Sequence, residues 1–403
     1  MMTRSFKQIY PALLIMAVLA WQSALALSPE ELAGLDRTFA NLLDEDRTPG
    51  AAWAVVRDGR IVHLGAHGVR VNGLAAPVTP ETVFRIASVS KTFAAQLTAM
   101  VVADGALGWD DPVTAYVPAF TLADPAHSGE LRIHHLLGQT AGVVPNAYDN
   151  LLNANQPLDR IVPRFAELQP ICSPGQCYTY QNVLFALVGP ALEQATGRDY
   201  ETLLAERIFQ PLNMARASTG LAGYLATSNR ALPHVRRSRG SAWFPTEVNE
   251  NYYRVAPAAG VNASAVDLGL WLAAQMGHRP DVIDPSLVQI VTEPRIRTTR
   301  DLRRRAWRDL LDNAHYGLGW RVYSINGEPL ILHSGWVRGF VAEIAWSPGR
   351  QIGLAVLINA ESPALTDMTT YFWRDMMGRT DLVIETVAAD QETGTGSAMG
   401  GDY

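Results

Sequence analysis

The order of strand-like and helix-like segments confines the fold of this chain more than any other feature. Residues 51–67 read as two strands joined at Asp58-Gly59, a dipeptide suited to a two-residue hairpin turn. Nothing comparable follows until Gly317. From there strands are expected at 319–325, 330–334, 340–347 and 352–359, punctuated by Asn326-Gly327 and Pro348-Gly349, with a helix over 363–377. The intervening stretch reads as helices and Pro/Gly loops. Residues 89–104 lack Gly and Pro and carry helical apolar spacing at Phe93, Leu97, Met100 and Val101, with Ser88 at the start of that helix. Residues 182–195 form a second helix stopped by Gly197, and 262–276 a third capped by Asn262 or Ser264. Such an order predicts an α/β fold: one antiparallel sheet built from N- and C-terminal segments, flanked by helices, with an inserted mostly helical domain. The α/β part spans about 28–95 and 255–380, the helical part about 96–254, within a single unit over 27–388. The cleft between the two parts is the natural place for a site.

Composition excludes several function classes. With 403 residues, 48% hydrophobic and 18% charged, and a formal charge of −6, the chain has ample material for a large core. Its mildly acidic balance argues against a nucleic-acid partner. The N-terminus reads as an export signal: Arg4 and Lys7, an apolar run over 9–21, then the small-x-small site Ala24-Leu25-Ala26. Residues 1–26 are therefore expected to be cleaved, leaving a periplasmic or secreted protein with no stable membrane anchor. The tail 389–403 has no core-forming pattern and reads as disordered. In an oxidising compartment the only two cysteines, Cys172 and Cys177, are expected to form a disulfide across the turn-favouring Pro174-Gly175. A zinc site would need further ligands nearby, and none is visible, so neither metal nor cofactor is expected.

Chemistry enters through lysine. The chain has two, Lys7 in the leader and Lys91 in Ser88-Val89-Ser90-Lys91. Arginine stays protonated, whereas a buried lysine amine can lose its proton. A lysine one helical turn from a serine can thus serve as a base or proton relay for that hydroxyl. The Ser-x-x-Lys spacing alone is common. Two other segments raise its weight: Tyr180-Gln181-Asn182, just after the cysteine pair and before a helix, and His333-Ser334-Gly335-Trp336 on an expected strand. Taken singly, Tyr180 could be a loop tyrosine, Asn182 a helix cap and His333 a strand histidine bonded to backbone.

Together and in this order, the three segments resemble the motifs of the penicillin-recognising serine hydrolases: the class C β-lactamases, the D-alanyl-D-alanine carboxypeptidases and aminopeptidases, and related esterases. Those motifs are Ser-x-x-Lys, Tyr-x-Asn or Ser-x-Asn, and Lys-x-Gly or His-x-Gly. Flanking matches include Arg132-Ile133-His134-His135-Leu136-Leu137 before Thr140-Ala141-Gly142, then Pro174-Gly175, Pro211-Leu212-Asn213-Met214, Ala258-Ala259-Gly260 and Tyr316-Gly317-Leu318-Gly319-Trp320. The resemblance covers roughly 30–378 and implies a β-lactamase/transpeptidase-like fold. It implies Ser88 as nucleophile, with Lys91 and Tyr180 sharing general-base work and Tyr180 activating the deacylating water. Asn182 would bond Lys91 and a substrate amide, the backbone N–H groups of Ser88 and Trp336 would form an oxyanion hole, and His333 would lie near a substrate carboxylate.

Two departures bear on substrate. His333 stands where class C β-lactamases typically place lysine, and would be only partly charged at neutral pH. Trp336 and Arg338 follow, where those enzymes usually carry small residues; Trp336 would narrow the cleft and Arg338 could supply positive charge. The reading favoured is an exported serine hydrolase working through a Ser88 acyl-enzyme on D-amino-acyl peptide, amide or ester substrates, small or derived from peptidoglycan. The alternatives are a class C-type β-lactamase and a non-catalytic peptidoglycan- or penicillin-binding module. Ser334 and Gly335 complete the expected substrate-binding set. The remaining histidines, His134 and His135 among them, read as structural or exposed. The arginines between 295 and 308, interleaved with Asp301 and Asp309, read as a solvated helix face.

Overall fold

The computed structural model describes residues 27–379. The expected leader and tail lie outside them. The chain starts with helix α1 (Pro29–Glu45), fixed by a capping box in which Ser28 and Glu31 satisfy each other's backbone N–H, with proline in the first turn. Strands β1 (Gly50–Arg57) and β2 (Arg60–Gly68) form the first hairpin. Its turn residues Asp58 and Gly59 both have positive φ, 47° and 71°, as a primed two-residue turn requires. After helix α2 (Ser90–Ala103) come the insertion, with helix α3 (Val188–Thr196), and then helix α4 (Ala265–Ala273), which Ser264 caps with its hydroxyl. Asn262 instead sits on a short strand, Val261–Ala263, and bonds the Tyr253 hydroxyl.

The rest of the sheet follows: β3 (Ile296–Arg297), β4 (Asn313–Tyr316), β5 (Arg321–Ile325), β6 (Glu328–Val337), β7 (Phe340–Ser347) and β8 (Ile352–Ile358), then helix α5 (Ala364–Gly378). The eight strands pair antiparallel throughout in the order β2-β1-β8-β7-β6-β5-β4-β3. One sheet thus joins both ends of the chain, as the segment order predicts.

Strands β1, β7 and β8 are buried along their whole length. Their alternate side chains serve two separate cores, because a strand's side chains alternate between faces. Ala52, Ala54, Ile344, Ala355 and Leu357 pack with Phe93, Leu97, Leu268 and Trp271 of α2 and α4. Trp53, Val55, Leu354 and Val356 pack with Phe39, Leu43, Phe372 and Trp373 of α1 and α5. The face toward α2 is the one that carries the site.

The arginine-rich segment is not a helix. Residues 301–303 make one 3-10 turn, followed by turns up to β4. Two side chains explain the interruption. Asp301 turns inward to pair with Arg321, and Trp307 is fully buried beneath the sheet. The arginines at 295, 297, 300, 303, 305 and 308 are exposed, so the solvated part of the reading holds and the helical part does not.

Candidate active site

Ser88 lies in a 3-10 turn, Ala87–Val89, immediately ahead of α2 rather than in the helix itself. Ala87 has φ 50°, a left-handed conformation uncommon for a residue with a Cβ and a local strain at the turn that presents the serine. Strand β6 crosses this turn so closely that a Cβ on Gly335 would stand 2.1 Å from the Ile86 carbonyl oxygen. Glycine is thus required there for the strand to reach Ser88.

Three groups converge on the serine and its lysine. Lys91 Nζ donates to Ser88 Oγ at 3.2 Å, to Asn182 Oδ1 at 2.7 Å and to the Ala258 carbonyl at 3.0 Å. The Tyr180 hydroxyl donates to Ser88 Oγ at 2.9 Å. Lys91 is fully enclosed, with Tyr180 and Phe185 rings 4.8 and 5.2 Å from its nitrogen. Burial lowers the lysine's pKa; Tyr180 and Asp149 oppose that shift and the Arg321 charge adds to it. The ensemble can therefore hold an amine with a reduced hold on its proton beside an alcohol and a phenol.

Tyr180 is held by its neighbour's backbone. Gln139, in a left-handed conformation with φ 59°, accepts from Gln181 N–H at 2.6 Å through Oε1 and donates to the Gln181 carbonyl at 3.1 Å through Nε2. This buried amide acts like a short strand partner for the second motif. The Cys172–Cys177 disulfide closes the loop before it. Ile171 N–H and Gly175 N–H bond the Gly142 and Thr140 carbonyls, so that loop is laced to 139–142. Asn182 stands before the short helix Val183–Ala186 but does not cap it with its side chain. Its amide is committed to Lys91 on one side and, at 2.7 Å, to Asp149 Oδ2 on the other.

The third motif departs from expectation in two ways. His333 Nδ1 donates to the Ser334 carbonyl at 2.9 Å, since a carbonyl only accepts, and Nε2 accepts from the Tyr316 hydroxyl at 3.1 Å. Burial, with Arg321 and Lys91 nearby, holds the pKa of His333 well below the usual histidine range. The ring is neutral with both nitrogens engaged, so the expected partly charged carboxylate reader is corrected to an internal brace. Ser334 is corrected as well. It lies on the opposite face of β6, where its hydroxyl donates to buried Glu343 Oε2 at 2.6 Å. The Trp336 side chain follows the same alternation and is 58% exposed. It lines a groove with Asn153, Phe244, Arg237 and Arg338.

The sequence reading missed Gln139, Asp149 and Arg321. Ala258 was noted only as a flanking match, yet its carbonyl binds Lys91. His135 is half-buried and accepts from Arg132 N–H, with burial lowering its pKa to about 4, in keeping with a structural role. Among the described residues no group of three or more His, Cys, Asp or Glu side chains is arranged to hold a metal ion.

A serine, a buried lysine and a tyrosine stand against β6, an inner strand of the antiparallel sheet. The chain matches the β-lactamase family over residues 35–375 and belongs to that family. It is 28% identical to penicillin-binding protein 4 of Amycolatopsis lactamdurans, over 87% of this chain and 90% of that one. It is 24% identical to protein flp of Staphylococcus aureus strain N315, covering 81% of this chain but only 63% of flp. In structure it resembles the octameric penicillin-binding protein homologue from Pyrococcus abyssi, with TM-score 0.76 and 22% identity over 87% of this chain and 78% of that one. It also resembles SurE, with TM-score 0.68 and 23% identity over 90% and 80%. These two likenesses establish the shared fold. The family consists in the main of serine hydrolases.

Proposed function

We propose that the chain is a serine hydrolase that acylates Ser88 and acts on D-amino-acyl peptides, amides or esters. The observation that carries this reading is Ser88 Oγ held between Lys91 Nζ at 3.2 Å and the Tyr180 hydroxyl at 2.9 Å. The Lys91–Tyr180 pair works in the form that has lost one proton, a neutral Lys91 amine or a Tyr180 phenolate; as Ser88 Oγ attacks the carbonyl carbon, its proton passes to that pair. The carbonyl oxygen takes the negative charge between the backbone N–H groups of Ser88 and Trp336. The pair then returns the proton to the departing amine or alcohol, leaving an ester on Ser88. Water, losing its proton to Tyr180, attacks that ester and releases the acid, and the proton returns to Ser88. The lowered pKa of Lys91 supports its part in this relay.

His333 lacks a free donor for a carboxylate, which favours peptidase or esterase action over β-lactam hydrolysis. Arg338 is the cation we assign to any substrate carboxylate. The bridged cysteines, with the leader-like pattern over 1–26, support export to the periplasm or beyond. The test is Ser88→Ala against wild type with a fluorophosphonate probe, then a panel of p-nitrophenyl esters, D-alanyl peptides and a chromogenic cephalosporin. Wild type should label on Ser88 and turn over the esters or D-alanyl peptides, and the variant should do neither. Labelling that survives in Ser88→Ala, or an adduct mapped to Ser90, refutes the assignment. Turnover of the cephalosporin alone makes the protein a β-lactamase, and a wild type that labels with nothing makes it a binding module.

A further inference from the structure

Asp149 belongs to none of the three motifs, yet it sits one side chain behind the lysine. It opens the short helix Asp149–Asn153, and its loop is tied to the second motif by the bond from Asn146 N–H to the Tyr180 carbonyl, 2.8 Å. Its Oδ2 accepts from Asn182 Nδ2 at 2.7 Å. Burial raises the pKa of Asp149, while the Asn182 bond, the Lys91 charge and Tyr252 pull it down. In its ionised form the carboxylate can only accept, so it turns the Asn182 NH2 toward Asp149 and the amide oxygen toward Lys91. With the amide reversed, an N–H would face the Lys91 amine, and that amine would lose one of its three acceptors. Asp149 forms no ion pair among the described residues. A largely enclosed carboxylate placed this way is costly as packing. It makes physical sense as a charge facing Lys91 across one amide.

We propose that Asp149 is a positioning residue that acts through Asn182 to fix the orientation of Lys91 and to balance its charge. This rests on the reading of Lys91 as part of the proton relay. Lys91 is faced by Ser88, Tyr180, Asn182 and the Ala258 carbonyl, with Arg321 and His333 on the sheet side and Asp149 on the helical side. Asp149 is faced by Asn182, Lys91 and Tyr252. Arg321 and Asp149 therefore push the lysine's proton affinity in opposite directions, and only Asp149 does so through a hydrogen-bonded link.

The two lysines of the chain make the test direct. In protein labelled with 13C at lysine Cε, the signal that persists in the uncleaved Lys7→Arg chain, or the single signal once residues 1–26 are removed, is Lys91, whose titration can be followed without substrate. Asp149→Asn keeps an acceptor for Asn182 and removes the charge. It should move the Lys91 titration to lower pH by roughly half to one unit, less than for a charge in direct contact. Asp149→Ala removes the bond as well. It should make the same shift and also slow Ser88 acylation by about tenfold or more, a part of a general-base contribution. The proposal is overturned if both variants titrate as wild type and acylate within twofold of it. It is equally overturned if Asp149→Ala only lowers stability while folded protein keeps the wild-type Lys91 titration. A wild type that acylates nothing refutes the proposed activity instead, and the titration still decides the role of Asp149.

Discussion

Replacing Lys91 with methionine should separate activity from stability. The lysine is fully buried and has no carboxylate in contact; its partners are Ser88 Oγ, Asn182 Oδ1 and the Ala258 carbonyl. Methionine keeps most of the stem and replaces the nitrogen, which lies 4.8 and 5.2 Å from the Tyr180 and Phe185 ring centres, with an apolar end. Ser88 Oγ retains its bond from Tyr180. Two buried oxygens, on Asn182 and Ala258, lose their donor at a cost of about 1–3 kcal/mol each. Against this, removing the amine abolishes a desolvation penalty of several kcal/mol. The terms nearly cancel, so stability should stay within about 2 kcal/mol of wild type, a shift of a few degrees in melting temperature. Acylation should instead fall by about a hundredfold or more, the usual reach of a general base. Fluorophosphonate labelling rates and thermal melts on the same preparations give both numbers. A methionine variant that labels at more than a tenth of the wild-type rate would show that no proton passes through Lys91. A melt lowered by tens of degrees would show that the lysine is kept for structure. Lys91→Arg should lose as much activity as the methionine variant, because a guanidinium keeps its proton.

Other expectations follow from the surroundings of the site. His333 is held neutral in the folded protein, so the unfolded chain binds the proton that the folded one refuses. Its contribution to stability is present above about pH 6.5 and is lost as pH falls toward its lowered value, with a slope of up to about 1.4 kcal/mol per pH unit. Denaturant unfolding at pH 5 and 7 should show that slope shrink in His333→Gln; equal slopes would mean the ring is charged in place. Gln139→Ala strips both bonds from the Gln181 backbone and should lower the melting temperature and slow Ser88 labelling about tenfold or more. Labelling at the wild-type rate would show that Tyr180 is held by other means. Replacing Cys172 and Cys177 with serine opens a loop with sequence separation 5, and loop-closure entropy puts the loss at about 2 kcal/mol. Intact-mass analysis without reductant of wild type produced in an oxidising compartment checks the bridge itself, and two alkylatable thiols there would refute it.

How far the sequence reveals this molecule depends on the range of each interaction. Turns declare themselves because their requirement is local. Asp58-Gly59 and Asn326-Gly327 were legible as hairpins since both residues of each turn take positive φ, which Asp, Asn and Gly tolerate best. The three motifs were legible because the family's serine-hydrolase chemistry restricts residue types at its site, and the structure brings Ser88, Lys91, Tyr180 and Asn182 together. Asp149, Gln139 and the Ala258 carbonyl were not legible as site groups. They act on atoms 33, 42 and 167 positions away, and at each place many residue types would have looked equally ordinary. The arginine-rich segment shows the opposite error, a local charge pattern read as a helix and overruled by Asp301 and Trp307 turning inward.

His333 carries the sharpest lesson about charge. Residue type alone suggested a half-charged imidazole awaiting a carboxylate. Its environment decides otherwise, because Tyr316 and the Ser334 carbonyl take both nitrogens while Arg321 and Lys91 already supply positive charge close by. A third cation there would be enclosed beside two others whose carboxylate partners, Asp301 and Asp149, already face Arg321 and Lys91. The same reasoning applies to His333→Lys. Such a variant should lose stability rather than gain β-lactam hydrolysis, since an uncompensated buried charge costs on the order of 3 kcal/mol or more. Positive charge for an anionic substrate is better sought at the rim, where Arg338 is exposed beside Trp336 and solvent lowers the cost of keeping it ionised.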